Sequence, residues 1–439
     1  MANSPKDQTR SINIILSTVK AQSVMEESPL AFPVRLNFQS LRMGVFMSLN
    51  HGRPMVSIPG PSVIPDRVLA AMHQTMPNIY EGSLIDISNS LLEDLPKIAR
   101  TSNSVFISVS NGHGAWEMAI SNTLSRGDRV LILESGRFAI NWGEMASVSG
   151  VVCEHLRGND SDPVDPAALE ERLKGDTKHE IAAILVVQVD TASSVRNDIQ
   201  ELRKAIDSAG HPALFMVDCI ASLGCEKFEM DEWGVDITVA ATQKGLMVPP
   251  GLGFVFASAK ALTAHANANL RTGYFDWTSR MNPVEHYKIY CGTPPIQHIW
   301  ALREALDMIF EEGLENAWGR HEVLAESVRL AVDAWAVSEG MELNVKQQSA
   351  RSNAVTTVLT GSVNPKELRR LSEEKAGVTL GLGLGEFADR SIRIGHMGHL
   401  NPHMILGTIG TIEACLGSMG APIGSSGVAV AAQLIGSRL

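Results

Sequence analysis

The chain has few cysteines, no long apolar run and no excess of positive charge. Its five cysteines lack the spacing of metal ligands and their number is odd, which favours reduced thiols in a cytoplasmic protein. No apolar run is long enough to cross a bilayer, and the N-terminus does not resemble a secretory signal. The net charge of -11 argues against nucleic acid or an anionic membrane as a partner.

The composition is that of an ordinary globular protein with more than one domain. The 439 residues are 44% apolar and 19% charged, which is enough to bury a large core. Residues 1–46 mix polar residues with short apolar pieces. We interpret them as an N-terminal extension outside the core, or as the product of an upstream start codon with Met47 as the alternative first residue. We expect an arm and large domain in residues 47–299 and a smaller domain in residues 300–439.

From residue 62 onward, helix-length and strand-length patterns alternate. This alternation predicts an α/β fold with a mainly parallel sheet of the seven-stranded type, covered on both faces. Beyond residue 300, long helical patterns lead into shorter strands, which predicts a smaller C-terminal α+β domain. The strand candidates are residues 129–133, 181–187, 213–218, 253–257, 354–359 and 391–394. The helix candidates are residues 115–124, 167–173, 198–209, 297–311, 321–335, 365–374 and 402–419.

The strongest chemical signal lies in residues 213–244. One apolar run ends in Asp218 and the next ends in Gln243 and Lys244. Open α/β sheets bind their ligands at the C-terminal ends of strands, so both side chains are expected at one site. Pyridoxal 5'-phosphate (PLP) requires this pair, since a lysine forms the Schiff base and an aspartate keeps the pyridine nitrogen protonated. We therefore predict PLP as cofactor, with Lys244 and Asp218 as catalytic residues.

A turn upstream of this pair suits the phosphate of such a cofactor. The sequence Ser-Asn-Gly-His-Gly at residues 110–114 comes directly before a helical pattern. Small residues allow backbone amides to approach an anion, and a helix N-terminus favours negative charge. A Gly-rich turn is a weak signal by itself, and a purely structural turn is the alternative.

Five motifs in order resemble the class V aminotransferases of fold type I. They are SNGHGAWEMAISNTLSRGDRVL, HPALFMVDCIASLG, TQKGLMVPPGLGF, YCGTPPI and RIGHMG. Within that class the chain looks most like the alanine, serine and aspartate:glyoxylate aminotransferases, from about residue 55 to the end. The resemblance implies PLP-dependent transfer of an amino group from a small amino acid, serine or alanine, to glyoxylate or pyruvate. It also implies a homodimer with shared active sites.

The resemblance further assigns roles to individual residues. Lys244 would form the Schiff base and carry the proton, and Arg393 would grip the substrate carboxylate, with Gly60 and Glu81 also in the substrate site. Phe138 would stack on the cofactor ring, and Tyr290 and Thr293 would reach the phosphate from the neighbouring subunit. The full cofactor-binding set is Gly112, His113, Phe138, Thr191, Asp218, Gln243, Lys244, Tyr290 and Thr293.

Two departures from the family pattern bear on the substrate. Glyoxylate-using relatives commonly carry His-Arg-Ser where this chain has Tyr80, Glu81 and Gly82, and they carry Asn-Glu-Thr-Ala-Thr-Gly where this chain has residues 189–194. A lost cation and a gained carboxylate would disfavour a second carboxylate on the substrate, such as that of aspartate. Pyridoxamine:pyruvate aminotransferases resemble the chain at the same places and are the alternative.

Other chemistries stay open or are declined. A desulfuration or β-elimination on the same fold would need a cysteine near the substrate, and Cys291 is the single candidate. A non-catalytic binding protein is the remaining alternative. The glycines at positions 381, 383 and 385 resemble a dinucleotide loop, but they lack its strand and helix, so we interpret them as a turn or substrate-site loop. His396, His399 and His403 match no standard metal-ligand spacing, and we expect no metal.

Overall fold

The computed structural model describes residues 49–338 and 340–439. Its larger sheet has seven strands in the order β2-β8-β7-β6-β5-β3-β4. The five strands from β7 to β4 run parallel, while β8 is antiparallel to both β7 and β2. The strands are β2 (Ser104–Ser110), β3 (Arg129–Leu133), β4 (Val152–Leu156), β5 (Ile181–Val187), β6 (Leu214–Asp218), β7 (Ile237–Ala241) and β8 (Gly251–Ala257).

The central strands of this sheet are apolar along their whole length because helices cover both faces. Every residue of β6 and β7 is buried, and so are all but one of β5. A parallel sheet packed on both sides produces such continuous apolar runs. Two separate hydrophobic clusters pack against the two faces of the sheet. The mainly parallel seven-stranded sheet expected from the sequence is confirmed.

Helices connect the strands, and several begin at side chains that cap them. Asp165, Asp198 and Asn111 accept backbone N–H groups at the starts of α5, α6 and α3, the usual role of an N-cap. The helices of this half are α1 (Asp66–Met72), α2 (Ser83–Ile98), α3 (Gly112–Thr123), α4 (Arg137–Val148), α5 (Pro166–Gly175), α6 (Ile199–Ser208), α7 (Ala259–Asn267), α8 (Thr278–Met281) and α9 (Ile296–Glu312).

A second sheet of five strands has the order β1-β11-β12-β10-β9. Its edge strand β1 (Met55–Ser57) comes from the start of the described chain and pairs in parallel with β11 (Val378–Leu382). The other strands are β9 (Glu342–Leu343), β10 (Val355–Leu359) and β12 (Ser391–Gly395). Helices α10 (Leu314–Trp335), α11 (Pro365–Ala376), α12 (Pro402–Ser418) and α13 (Gly427–Gly436) complete this half.

The expected elements are present, most of them with ends within three residues of the prediction, but the helix predicted at residues 321–335 begins earlier, at Leu314. The strands predicted at residues 129–133 and 181–187 have the observed bounds. The prediction for the three late glycines was incomplete, because Gly381 lies within β11 and Gly385 begins a short 3-10 helix. None of the helices within the described ranges is long and apolar enough to cross a membrane.

The predicted domain limits are a separate matter. The extension proposed for residues 1–46 lies outside the described residues. Helix α9 extends across residue 300, and its buried apolar side chains belong to a hydrophobic cluster of the larger sheet. Strand β1 belongs to the smaller sheet although it lies near the start of the chain. The division at residue 300 stays a prediction.

Candidate active site

The two residues that dominate the sequence signal lie on neighbouring strands. Asp218 is the last residue of β6, and Lys244 follows the end of β7 after Thr242 and Gln243. The two strands pair in parallel, with Asp218 opposite Val239. Both side chains line one cavity, as the sequence predicts.

Asp218 is buried and held by two hydrogen-bond donors. The Trp116 indole N–H donates to Oδ2 at 2.8 Å, and the Ile220 amide donates to Oδ1 at 2.6 Å. Burial raises the pKa of the Asp218 carboxyl to about 7, against the opposing effect of these two donors. Each oxygen keeps a further lone pair, so the carboxylate can accept a bond from a protonated ring nitrogen.

Lys244 reaches the cavity with an unusually acidic ammonium group. Burial, with the positive charge of Arg393 as the next cause, lowers the pKa of the Lys244 amine to about 8. Its Nζ donates to the backbone carbonyl of Pro59. A lysine with a depressed pKa is partly neutral near pH 7 to 8, and a neutral amine can act as a nucleophile or as a base.

The cavity shared by these residues has a volume of about 120 Å³. Its wall combines ionisable groups with apolar and aromatic ones, a composition typical of small-molecule sites. The lining residues are Gly112, His113, Trp116, Phe138, Val187, Val189, Thr191, Asp218, Ile220, Ala221, Gln243 and Lys244. Seven of the predicted cofactor-binding residues therefore meet at one place, namely Gly112, His113, Phe138, Thr191, Asp218, Gln243 and Lys244.

Two of these residues, Gln243 and His113, lie where the phosphate of the cofactor is predicted to bind. The side-chain oxygen of Gln243 is buried and has no hydrogen-bond partner among the described residues. The His113 amide, however, already donates to the Asn111 side chain at 3.0 Å as part of the cap of α3. This oxygen needs a hydrogen-bond donor, because a buried polar atom without a partner costs free energy, whereas the helix N-terminus suits an anion. The role of the His113 amide stays a prediction.

A second buried carboxylate, Asp190, organises the loop that carries Thr191. It accepts backbone N–H groups from Phe138 at 2.7 Å and from Ala192 at 2.8 Å. Burial raises the pKa of the Asp190 carboxyl to about 6. These bonds fix the start of α4, and with it Phe138, against the loop after β5. The Phe138 ring packs edge-on against the Trp116 ring, and the two ring centroids are 6.4 Å apart.

Arg393 lies on β12 of the smaller sheet, behind the cavity wall. Its Nε donates to the Leu382 carbonyl at 2.6 Å and its Nη1 to the Thr191 carbonyl at 2.7 Å. Burial lowers the pKa of the Arg393 guanidinium to about 10, still far above neutrality. The bond to Thr191 joins it to the cavity lining, and Nη2 has no hydrogen-bond partner among the described residues, which leaves a donor for a carboxylate.

The remaining predicted residues fall into two groups. Gly60 lies against Lys244, since a Cβ built on it would be 2.5 Å from Nζ. Glu81 and Thr293 are exposed, and neither lines the cavity of this chain. The Tyr290 side chain is only 1% exposed, and its hydroxyl bonds Ser88 at 3.0 Å. The predicted reach of Tyr290 to the phosphate of a neighbouring subunit stays a prediction.

Sequence reasoning missed three residues that shape the site. Trp116 lies four residues after Gly112, one helical turn along α3, so the turn motif and helical periodicity together carry a signal for it. Asp190 carries a weaker signal, as a carboxylate just after a buried strand. Pro59 carries none, because its contribution is a backbone carbonyl that approaches Lys244 from another sheet.

The fold and the cavity, in which a lysine of lowered pKa lies with a buried aspartate, fit an enzyme that acts on amines and carbonyl compounds. A sequence model of the family described as aminotransferase class-V matches residues 86–386. Solved structures of the PLP-dependent fold type I share its architecture. The chain belongs to the class V aminotransferases, and it is an aminotransferase of α/β fold.

Curated relatives and solved structures agree with this membership. The chain is 39% identical over 397 residues to the serine–glyoxylate aminotransferase of Methylorubrum extorquens, covering 88% of this chain and 96% of the relative. It is 37% identical over 381 residues to the L-aspartate–glyoxylate aminotransferase of Paracoccus denitrificans, covering 86% and 94%. The pyridoxamine–pyruvate aminotransferase structure from Mesorhizobium loti is 25% identical with a TM-score of 0.79, covering 89% and 99%.

Proposed function

We propose that this aminotransferase uses PLP to move the amino group of a small amino acid, serine or alanine, to glyoxylate or pyruvate. The observation that carries the proposal is one cavity that holds Asp218 and Lys244 and touches Thr191, to which Arg393 is bonded. The serine–glyoxylate relative at 39% identity supports the choice of substrates.

The residues present fit the proposed cofactor. Asp218 would hold the ring nitrogen, Gln243 and the start of α3 the phosphate, Phe138 and Thr191 the ring, and Lys244 the aldehyde carbon. The Asp218 carboxylate can accept a bond from a protonated ring nitrogen, and the N–H groups of the Gln243 carboxamide can donate to a phosphate. When bound, PLP supplies an electron sink that stabilises negative charge at the substrate Cα.

The side chains of this chain supply the remaining steps. The neutral amine of Lys244 takes the proton from the substrate Cα and returns it at the other end of the transfer. The planar guanidinium of Arg393 binds the substrate carboxylate and fixes its orientation. Trp116 and the Ile220 amide hold the Asp218 carboxylate in place, so that it need not reorganise during the reaction.

The cavity supports a small substrate with one carboxylate. Among the described residues, Lys244 is the only lysine or arginine that lines the cavity, and the nearby Arg393 is the one guanidinium bonded to its wall. Val187, Val189 and Ile220 make the remaining wall apolar. A second carboxylate would be desolvated there without a partner, which is costly. Aspartate is therefore a poorer donor than serine or alanine in this proposal.

We also propose a cytoplasmic homodimer. The five cysteines are all unpaired, which suits a reducing compartment. Large apolar side chains are exposed at separate places in the chain, with Tyr80 at 71% and Val284 at 86%, and we expect a second copy to cover some of them. Sedimentation velocity of the purified protein tests the dimer, and a monomer at micromolar concentration would contradict it.

The proposed reaction is tested by a screen of amino donors. The purified protein is loaded with PLP and titrated separately with serine, alanine, aspartate and pyridoxamine, while its visible absorption is recorded. We expect serine or alanine to convert the cofactor to its amino form, and glyoxylate or pyruvate to restore the original spectrum. A protein that shows no visible band with PLP would contradict the proposal.

The same screen separates the alternatives. A dominant response to pyridoxamine would favour the activity named for the Mesorhizobium loti structure. Release of sulfide from cysteine would indicate a desulfurase, although no cysteine lines the cavity in the described part of the chain. A response to aspartate that exceeds the response to serine would contradict the proposed substrate class.

A further inference from the structure

One backbone segment connects the two halves of the site. Residues 58–62, here named the crossing segment, follow β1 of the smaller sheet and run across the end of β7 to α1. The Ser62 amide donates to the Gln243 carbonyl at 2.9 Å, and the Ser62 hydroxyl donates to the Lys244 carbonyl at 2.7 Å. The segment is therefore bonded to the backbone of the lysine itself.

The opposite side of the crossing segment rests on β12, the strand that carries Arg393. Ser57, just before the segment, donates to the Gly395 carbonyl at 3.1 Å. A Cβ on Gly395 would collide with the Ile58 carbonyl. The segment thus packs between the strand of the substrate-binding arginine and the lysine, and its position sets the spacing of those two groups.

Within this segment, Pro59 and Gly60 contact the Lys244 side chain directly. The Lys244 amine donates to the Pro59 carbonyl. Gly60 has φ +93°, and a Cβ there would be 2.5 Å from both Nζ and Cδ of Lys244. Only a residue without a side chain leaves room for the lysine beside that carbonyl.

We propose that Pro59 and Gly60 are positioning residues for Lys244: the Pro59 carbonyl holds the neutral free amine in place before it takes the substrate proton. The inference rests on the proposed function. An amine that donates one N–H to Pro59 is fixed in direction and keeps its lone pair for the substrate proton. Gly60 acts by leaving space, and the crossing segment links this arrangement to Arg393.

Gly60→Ala tests the proposal, with Gly127→Ala as a matched control. Gly127 has a nearly equal φ of +87°, and a Cβ there would meet nothing within 4 Å. The two variants therefore share the backbone strain of alanine at positive φ and differ in contact with Lys244. We expect Gly60→Ala to slow removal of the substrate α-proton by about 100-fold, because misplacement by about 1 Å has that effect. The isotope effect with α-deuterated serine should rise, whereas Gly127→Ala should match the wild type.

A second readout does not depend on transamination. Cofactor-free protein is exposed briefly to pyridoxal, reduced with borohydride, and the fraction of Lys244 labelled is measured by peptide mass spectrometry. We expect at least about tenfold slower labelling in Gly60→Ala than in Gly127→Ala. Equal labelling and equal isotope effects in the two variants would overturn the inference. A wild type that labels at Lys244 without transferring amino groups would contradict the proposed function alone.

Ser62→Ala covers the case in which Gly60→Ala does not fold. It removes one hydrogen bond between the crossing segment and the Lys244 backbone without adding bulk. Its control is Ser149→Ala, which removes a similar bond to the Met145 carbonyl at the end of α4. We expect about threefold slower labelling of Lys244 in Ser62→Ala alone, and equal rates in both variants would overturn the inference.

Discussion

The strand ends that carry Asp218 and Lys244 differ from two outer segments, residues 78–82 and 291–293, whose residues are exposed or half-buried. Asp218 and Lys244 are held by bonds from Trp116, Ile220 and Pro59 within the chain. In the outer segments, Glu81 bonds only its neighbour Asn78. The side chains at the strand ends are thus fixed by contacts within one chain, whereas the outer segments have few contacts that would fix their side chains. Mutations should therefore have large effects at the strand ends and small ones outside.

Lys244→Ala should have the largest effect. It removes the group proposed to carry the proton, and general base catalysis accounts for up to about 10⁴-fold in rate. We expect transamination to fall by about that factor and the visible band of bound PLP to disappear. The control is Lys227→Ala, whose side chain is 59% exposed and pairs only with Glu229. A visible band that persists in Lys244→Ala would contradict the assignment.

Asp218→Asn should have the next largest effect. In either orientation, the NH2 group of the new amide would face one of the two donors, the Trp116 indole N–H or the Ile220 amide, so that two donors meet where a donor and an acceptor did. It also removes the negative charge proposed to protonate the cofactor ring. We expect kcat/KM to fall by about 100-fold, measured with the donor found in the screen. The double variant with Trp116→Phe should regain cofactor affinity but not rate, and recovery of the rate would show that packing alone explains the loss.

The interior residues were also the ones that the sequence revealed best. Asp218 and Lys244 follow continuous apolar runs, and the physical rule that parallel strands present their C-terminal ends together was enough to bring them to one cavity. The alternation of helices and strands likewise gave the seven-stranded sheet.

Residues that depend on distant backbone were not predictable in this way. Strand β1 joins β11 across more than 300 residues of chain, as Met55 pairs with Val378, and no local pattern carries that pairing. The contact of Pro59 with Lys244 depends on this pairing, because Pro59 lies just after β1. The family resemblance predicts that Tyr290 reaches the phosphate of a neighbouring subunit. Its burial against Ser88 depends on packing that a sequence motif does not show.

The pH dependence of cofactor capture tests the electrostatics of the interior. Burial lowers the pKa of Lys244 to about 8, so the amine is charged below that pH and neutral above it. Only the neutral amine attacks an aldehyde. We expect the rate at which cofactor-free protein binds PLP to rise about tenfold per pH unit up to pH about 8 and then to level off. Stopped-flow absorbance measures this rate, and a rise that continues toward the ordinary pKa of 10.5 would contradict the shift.

Tyr290→Phe tests whether the Tyr290 hydroxyl stabilises its own chain through Ser88 or contacts the cofactor phosphate of a neighbouring subunit. Loss of the hydroxyl leaves Ser88 without its bond, which should lower the free energy of unfolding by about 1 kcal/mol. The dissociation constant of PLP should stay unchanged, because the hydroxyl lies in the core of its own chain. Urea denaturation and absorbance titration measure the two quantities, with Tyr287→Phe as the control. Weaker PLP binding at an unchanged free energy of unfolding would instead support a contact between Tyr290 and the PLP phosphate of a neighbouring subunit.

Glu81→Gln should have the smallest effect. The side chain is exposed, and its one hydrogen bond is to Asn78 at 3.1 Å, so solvent and salt screen its charge. We expect kcat/KM for serine and for aspartate to change by less than about twofold, as in the control Glu93→Gln on α2. A selective rise for aspartate of more than about tenfold would mean that a second copy brings Glu81 to the substrate. The outer segments would then belong to an active site that two copies of the chain form together.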